Sequence, residues 1–301
     1  MALNIGQVNC TTDQLNTGSF GCAVRMQQIL FLILVNKGWS ISKLDDFDSD
    51  YFNEMVQKKQ FTVLPQQVTV EDESEDTVYE TFDNGLKMFV RQGIVEYLPT
   101  YVGDLCLQKA LQSVSGTRKD LLLVDVSGNV YGAETATGFK GFDLNLIQAE
   151  RQSLPTGAET GKIPLRLQFS ALGAAEWTKQ ANFISPEDFN ITGVNGVIDV
   201  LLELDSSTSG ETKVTAKVAC DKSTDLDFFD STNVWQVTDS TGVVNITAVT
   251  YANGVYTITH AASGDYTIKL FDSTLGAGVV ESEGLFFESN SLNVLEFKKW
   301  V

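Results

Sequence analysis

The chain has one histidine, His260, in 301 residues. Histidine catalysis needs a nucleophile to activate and a carboxylate to orient the ring. His260 instead closes the strand-like run Val255-Tyr-Thr-Ile-Thr259, and a partly exposed strand residue is expected there. The four cysteines, Cys10, Cys22, Cys106 and Cys220, include no pair two residues apart, which excludes a zinc knuckle or a thioredoxin-type redox motif. Buried reduced thiols are the expectation. Five prolines are too few for a proline-rich stalk. The tightest apolar run, Ile29-Leu-Phe-Leu-Ile-Leu-Val35, is seven residues long. A membrane helix needs about 20, so no membrane span is expected. The opening Met1-Ala-Leu-Asn-Ile-Gly-Gln7 lacks the basic and apolar segments of a signal peptide, and the protein reads as made in the cytoplasm.

Positive charge is also scarce. Lysine and arginine total 21 against 39 acids, a net charge of −18. A surface of this sign repels phosphate and excludes tight wrapping of nucleic acid. Stacking platforms for single strands are excluded too, because the aromatics sit among acids rather than bases. No P-loop occurs, and Gly276-Ala-Gly278-Val-Val-Glu281 fails the dinucleotide fingerprint at its last glycine. No cofactor and no enzyme activity are expected. Asp46, Asp48 and Asp50 imitate the first ligands of a calcium loop, but Tyr51 and Gln57 stand where that loop needs glycine and glutamate. Helix capping accounts for these acids better.

What the chain does have is turns between strand-like runs. Asp83-Asn84-Gly85 separates 77–82 from 86–90, Ser127-Gly128-Asn129 separates 121–126 from 130–131, and Ala252-Asn253-Gly254 separates 246–251 from 255–259. Asn-Gly between such runs is the strongest short-range hairpin signal, because a type I′ turn takes two residues of positive φ. Residues 29–35 read as a fully buried strand and 1–21 as an extended arm or irregular lead-in. Short strands are expected at 61–64 and 68–70. Helices are expected at 49–59, after the acids of 45–50, and at 104–114, capped by Asp104. Phe142, Leu144 and Leu146 alternate with Asp143 and Asn145, while Leu165, Leu167 and Phe169 alternate with Arg166 and Gln168. That period of two marks strands with one buried and one wet face.

Near residue 193 the composition shifts to threonine, valine and aspartate, and helical periodicity ends. Two domains are expected, 1–192 and 193–301, with Asn190-Ile-Thr-Gly-Val-Asn-Gly196 between them. Seven short strands in the second part fit an immunoglobulin-like β-sandwich, and Gly264-Asp265-Tyr266 resembles the site of a tyrosine corner.

The order of elements in 1–192 resembles the major tail tube proteins of tailed phages and the tube subunits of contractile injection machines. The resemblance rests on the strand 26–35, the acidic connection into the hairpin 77–90, the helix 104–114, the hairpin 121–131 and the paired strands 141–147 and 162–169. It implies a mainly β protein: a sandwich or barrel tube domain with one or two short helices, followed by an appended immunoglobulin-like domain. It further implies a virion structural protein whose copies close into hexameric rings. Those rings stack into a tail tube, with other tail proteins as partners and DNA passing without specific binding. In that arrangement Asp143, Asn145, Arg166 and Gln168 are the candidate lumen-facing residues. Two competing classes explain the same β content: another virion component (capsid-decorating, collar or fibre subunit), or a carbohydrate-binding surface module. A hydrolase ranks behind both.

Overall fold

The computed structural model describes residues 26–42, 47–158, 160–186, 190–208, 210–262 and 264–295. The lead-in 1–21, Cys10, Cys22, Asp45 and Asp46 lie outside these. Among the described residues the fold is mainly β, as expected, with three short α-helices in place of the expected one or two. It divides into two compact units, one of Met1–Tyr51 with Phe61–Gly193, the other of Phe52–Gln60 with Val194–Val301. Among the described residues no helix is long and apolar enough to cross a membrane.

In the first unit, β1 (Ile29–Asn36) is the buried strand that its unbroken apolar run demands, with Ile33, Leu34 and Val35 fully inaccessible. It lies between β2 (Phe61–Val63) and β7 (Lys119–Asp125), antiparallel to both. Helix α1 (Ser49–Gln57), whose residues from Phe52 onward belong to the second unit, starts where the Asp48 carboxylate accepts the Tyr51 N–H at 2.8 Å. The edge strand β3 (Thr69–Asp72) pairs with β6 (Glu96–Val102), and between them β4 (Val78–Thr81) and β5 (Lys87–Arg91) form a separate hairpin. In α2 (Leu105–Val114) Asp104 is the N-cap, accepting from the Cys106 and Leu107 N–H groups. Then follow β8 (Val130–Thr135), β9 (Gly138–Lys140), β10 (Phe142–Ala149), β11 (Lys162–Phe169), α3 (Ala171–Lys179) and β12 (Ala181–Ile184).

Strand β10 joins the two halves of this unit. Phe142 and Asp143 pair with β7, whereas Leu144–Ala149 pair with β11. A strand can change sheets this way at a bulge, and the register of β10 shifts between Leu144 and Leu146. The bulge corrects one expectation. Phe142 and Leu144 are buried, but beyond Asn145 the inward positions become Ile147 and Ala149, leaving Leu146 half-buried. The other strand keeps its alternation, with Leu165, Leu167 and Phe169 all in the core. Helix α3 was not anticipated. Ser170 caps it by accepting the Gly173 N–H at 3.0 Å, and Trp177 packs edge-on against Phe142 with centroids 5.0 Å apart.

The second unit is a two-sheet sandwich. One sheet runs β17 (Ile246–Ala252), β18 (Val255–His260), β14 (Glu211–Val218), β13 (Val197–Thr208), β21 (Leu285–Ser289), β20 (Val279–Ser282). The other runs β16 (Gly242–Val244), β15 (Trp235–Asp239), β19 (Tyr266–Leu270), β22 (Leu292–Val294). Strands β16, β20 and β21 add to the seven expected. Phe229, Trp235, Tyr256 and Phe287 fill the core. The Trp235 indole N–H donates to the Phe229 carbonyl at 2.7 Å and the Tyr256 hydroxyl to that of Leu226 at 2.7 Å, so both rings are buried without stranding their polar ends.

The three turns differ in kind. Asn253 and Gly254 both have positive φ, 53° and 81°, which makes β17–β18 the expected type I′ hairpin. At β4–β5 only Gly85 is positive, at 79°, and in the 127–129 turn only Gly128, at 82°. At β4–β5 a three-residue connection with glycine in the left-handed region replaces the two-residue turn.

Candidate functional site

The four candidate lumen residues lie on the two paired strands and fall into two ion networks. On the outer side of β10 and β11, the Asn145 amide donates to Gln168 Oε1 at 3.0 Å, and Gln168 donates to Glu96 Oε2 at 3.2 Å. Arg166 then gathers three carboxylates: Glu96, Glu73 at 2.9 Å and Glu150 at 3.0 Å. One guanidinium cannot neutralise three carboxylates, so this face carries a net negative field.

Asp143 is elsewhere. Its carboxylate accepts from Lys37 and from the Ser170 hydroxyl, and its N–H donates to Glu176 Oε2 at 3.1 Å. Lys37 also pairs with the buried Asp120 at 2.9 Å, while Lys140 pairs with the buried Glu176 at 2.5 Å. Burial opposes ionisation of Asp143, but the hydrogen bonds from Lys37 and Ser170 outweigh it and hold the carboxyl below its usual value. For Asp120 burial wins over Lys37 and the carboxyl is raised. Lys37 is shifted up: burial lowers it, and the bonds to Asp143 and Asp120 more than offset that. Ser170 caps a helix here, and Lys37 ties Asp120 to Asp143, so the cluster holds elements together.

His260 corrects its expectation. It is only 4% exposed, because β18 pairs with β14 and β17 on both sides. The Ala262 N–H donates to Nδ1 at 3.2 Å, which puts the ring proton on Nε2, facing Thr212 Oγ1 at 2.8 Å. Thr212 in turn lies 2.5 Å from the Tyr266 hydroxyl. Tyr266 therefore bonds a side chain across the sandwich, and the backbone bond of a tyrosine corner is replaced by this chain of hydroxyls. Burial lowers the His260 pKa from 6.5. Below pH 6.5 the unfolded chain takes a proton that the folded ring resists, so stability falls with pH until the folded pKa is passed. Urea unfolding is expected to show this loss between pH 7 and 5.5 and to show a flatter profile for His260→Gln. At pH 7.5, Thr212→Val should cost about 1–3 kcal/mol by leaving the Nε2–H unpaired.

Cysteine chemistry also departs from expectation. Cys106 and Cys220 are each engaged in a disulfide rather than being buried reduced thiols.

The most unusual surface is an arm. Strands β3 and β6 continue past the sheet through Glu73 N–H to Glu96 C=O at 3.0 Å and Glu75 N–H to Ile94 C=O at 2.8 Å, then into β4 and β5. Gly93 is needed at this point, since a Cβ there would lie 1.7 Å from the Glu75 carbonyl oxygen. From Glu75 to the tip at Asn84 the ribbon extends about 30 Å, at roughly 3.3 Å per residue. Every residue of β4 and β5 is exposed. Among them are Tyr79 (55%), Met88 (49%), Phe89 (59%) and Val90 (52%), with Phe82 and Leu86 (61%) at the turn. Sequence reasoning located the hairpin and missed its exposure. The signal was present in Met88-Phe89-Val90, three consecutive apolar residues that place apolar groups on both faces of one strand.

Among the described residues no group of three or more His, Cys, Asp or Glu side chains could hold a metal ion. No family model and no curated protein matches the chain.

Proposed function

We propose that this chain is a virion structural protein, a tail tube subunit whose copies close into hexameric rings that stack into a conduit for the genome. The observation that carries this reading is the arm of residues 77–92. A two-stranded ribbon is marginal alone in water, and an apolar patch of this extent on an isolated subunit marks an interaction surface. A protein that must stack many copies of itself needs such a surface. The acidic face of Asn145, Gln168, Glu96 and Glu150 suits a channel that does not grip phosphate. The disulfide-bonded cysteines suit a particle assembled in a host cytoplasm that later meets an oxidising exterior, since virion surfaces retain disulfides and the cytosol does not. In this role the protein performs no catalysis and takes no cofactor. Its partners are other copies of itself and the remaining tail proteins, with DNA in transit.

Negative-stain microscopy of the purified chain tests the reading. Rings or tubes are expected; monomers or compact trimers at every concentration would sink it in favour of a fibre or decorating subunit. The lumen is tested separately by Asn145→Lys, which changes an exposed residue outside the Lys37 cluster. In assembled particles it should slow DNA ejection at low salt and recover at high salt, each phosphate contact adding about one unit to the salt slope. Normal ejection at all salt concentrations would place this face outside the channel.

A further inference from the structure

We propose that Asn195 is a site of covalent self-modification, at which the Gly196 nitrogen attacks the Asn195 side chain and the residue converts to isoaspartate or aspartate. The reaction needs no cofactor, and water is its one outside reactant. The deprotonated Gly196 nitrogen bonds to Asn195 Cγ, the Cγ–Nδ2 bond breaks and ammonia leaves, which closes a five-membered succinimide. Water then opens one of the two ring carbonyls. Opening at the side-chain carbonyl gives aspartate. Opening at the main-chain carbonyl routes the chain through the side chain, which lengthens it by one methylene and frees an α-carboxylate. Either product adds one negative charge to a chain already at −18. Glycine suits the second position because it has no Cβ to hinder the approach of its nitrogen.

The chain has three Asn-Gly pairs, and their surroundings single out this one. Ring closure requires the glycine nitrogen to swing onto Cγ, a near-attack geometry that a fixed turn denies. At Asn84 both reacting groups are held. Its side-chain carbonyl accepts the Leu86 N–H at 3.0 Å, and the Gly85 N–H donates to the Phe82 carbonyl at 2.8 Å. Asn253 is fixed by its type I′ turn, with φ at 53° and the Ala252–Val255 rung closing directly behind it. A carboxylate also opposes loss of the Gly254 proton, since Asp225 Oδ2 would lie 3.2 Å from a Cβ there. Asn195 differs on each count. It is exposed and lies in the irregular stretch between the 3₁₀ turn Ile191–Gly193 and β13. Among the described residues neither its side chain nor the Gly196 N–H enters a hydrogen bond. The second unit resumes at Val194, so the added methylene and charge fall in the connection that leads into β13.

The test incubates the full chain at pH 8.5 in ¹⁸O-labelled water, once folded and once in concentrated urea. Digestion and electron-transfer fragmentation then locate each converted asparagine by its ¹⁸O and distinguish isoaspartate from aspartate. In the folded protein residue 195 should convert about tenfold faster than 84 or 253, the factor that one net hydrogen bond of restraint corresponds to. In urea the three rates should converge. Gly196→Ala should slow conversion at 195 alone, with an unchanged circular dichroism spectrum. Conversion at 84 or 253 as fast as at 195 in the folded protein would overturn the assignment. The same ranking and spread in urea would overturn it too, since the preference would then belong to the sequence and not to the fold. Neither result bears on the tube reading, which assembly tests separately.

Discussion

Replacing residues 77–92 with a two-residue Asn-Gly turn is expected to give a folded monomer that no longer assembles. The cut falls just beyond the Glu75–Ile94 rung, and Asn-Gly suits a tight connection between paired strands. Little stability should be lost. The removed strands are exposed along their whole length and form a two-stranded sheet of their own, so they contribute no core. Assembly is another matter. Full burial of a large apolar side chain is worth about 1.5–3 kcal/mol. Covering even three or four of the arm's side chains therefore supplies roughly 5 kcal/mol or more per contact, over a thousandfold in the association constant. Sedimentation velocity should show the variant as a monomer at concentrations where the parent forms rings, with thermal unfolding within a few degrees of the parent. Undiminished assembly would mean that the arm is not the contact. A collapsed melting temperature would mean that it belongs to the fold.

How legible the molecule was depends on how local each cause is. Asp104 capping α2, the buried run of β1 and the Asn253-Gly254 turn are decided by a few neighbouring residues, and all three were readable. Helix α3 has a local signal in Ser170 ahead of alanines, but the clear alternation of the preceding strand masks it. The bulge at Asn145 was not readable. It exists because β10 must leave β7 for β11, and no single strand's pattern encodes its partners. The burial of His260 likewise depends on Thr212 and Tyr266, 48 residues before it and six after. Its strand pattern could not distinguish a core histidine from a surface one. Strands β20 and β21 were obscured by the glycines on either side, at 276, 278 and 284. The arm shows the same limit from the other direction, since exposure is a property of what does not pack against it. Of the four candidate lumen residues, the pattern located the shared strands correctly but gave no sign that Asp143 is engaged by Lys37 while Asn145 lies open.

That engagement sets the last expectation. Lys37→Met should destabilise the first unit by about 3 kcal/mol at neutral pH, because removing one partner leaves buried charge uncompensated and costs roughly 3–5 kcal/mol in fully buried cases. The lower end applies, as the Lys37 side chain is 35% exposed while that of Asp120 is 4% exposed. For a unit of this size the melting temperature should fall by about 6–12 °C. The deficit should also depend on pH in a defined direction. Asp120 already has a raised pKa in the folded protein, and loss of Lys37 raises it further. The penalty of an ionised, unpaired Asp120 is then complete above its folded pKa. It is relieved as pH falls through that value toward 3.8 and the carboxyl takes a proton. Asp143, held low in part by Lys37, forfeits stabilisation that acid removes from the parent only below 3.8, so its share of the deficit is the same at pH 7.5 and pH 5.0 and the narrowing comes from Asp120. Urea unfolding at pH 7.5 and 5.0 should therefore show a smaller difference at the lower pH, and the double variant with Asp120→Asn should recover part of the loss at pH 7.5. A deficit that is the same at both pH values, with no recovery in the double variant, would mean that Lys37 acts by packing its methylene stem rather than by its charge. The same geometry predicts that Asp143→Lys, which would set a third ammonium beside Lys37 and Lys140, fails to fold before its effect on a channel could be read.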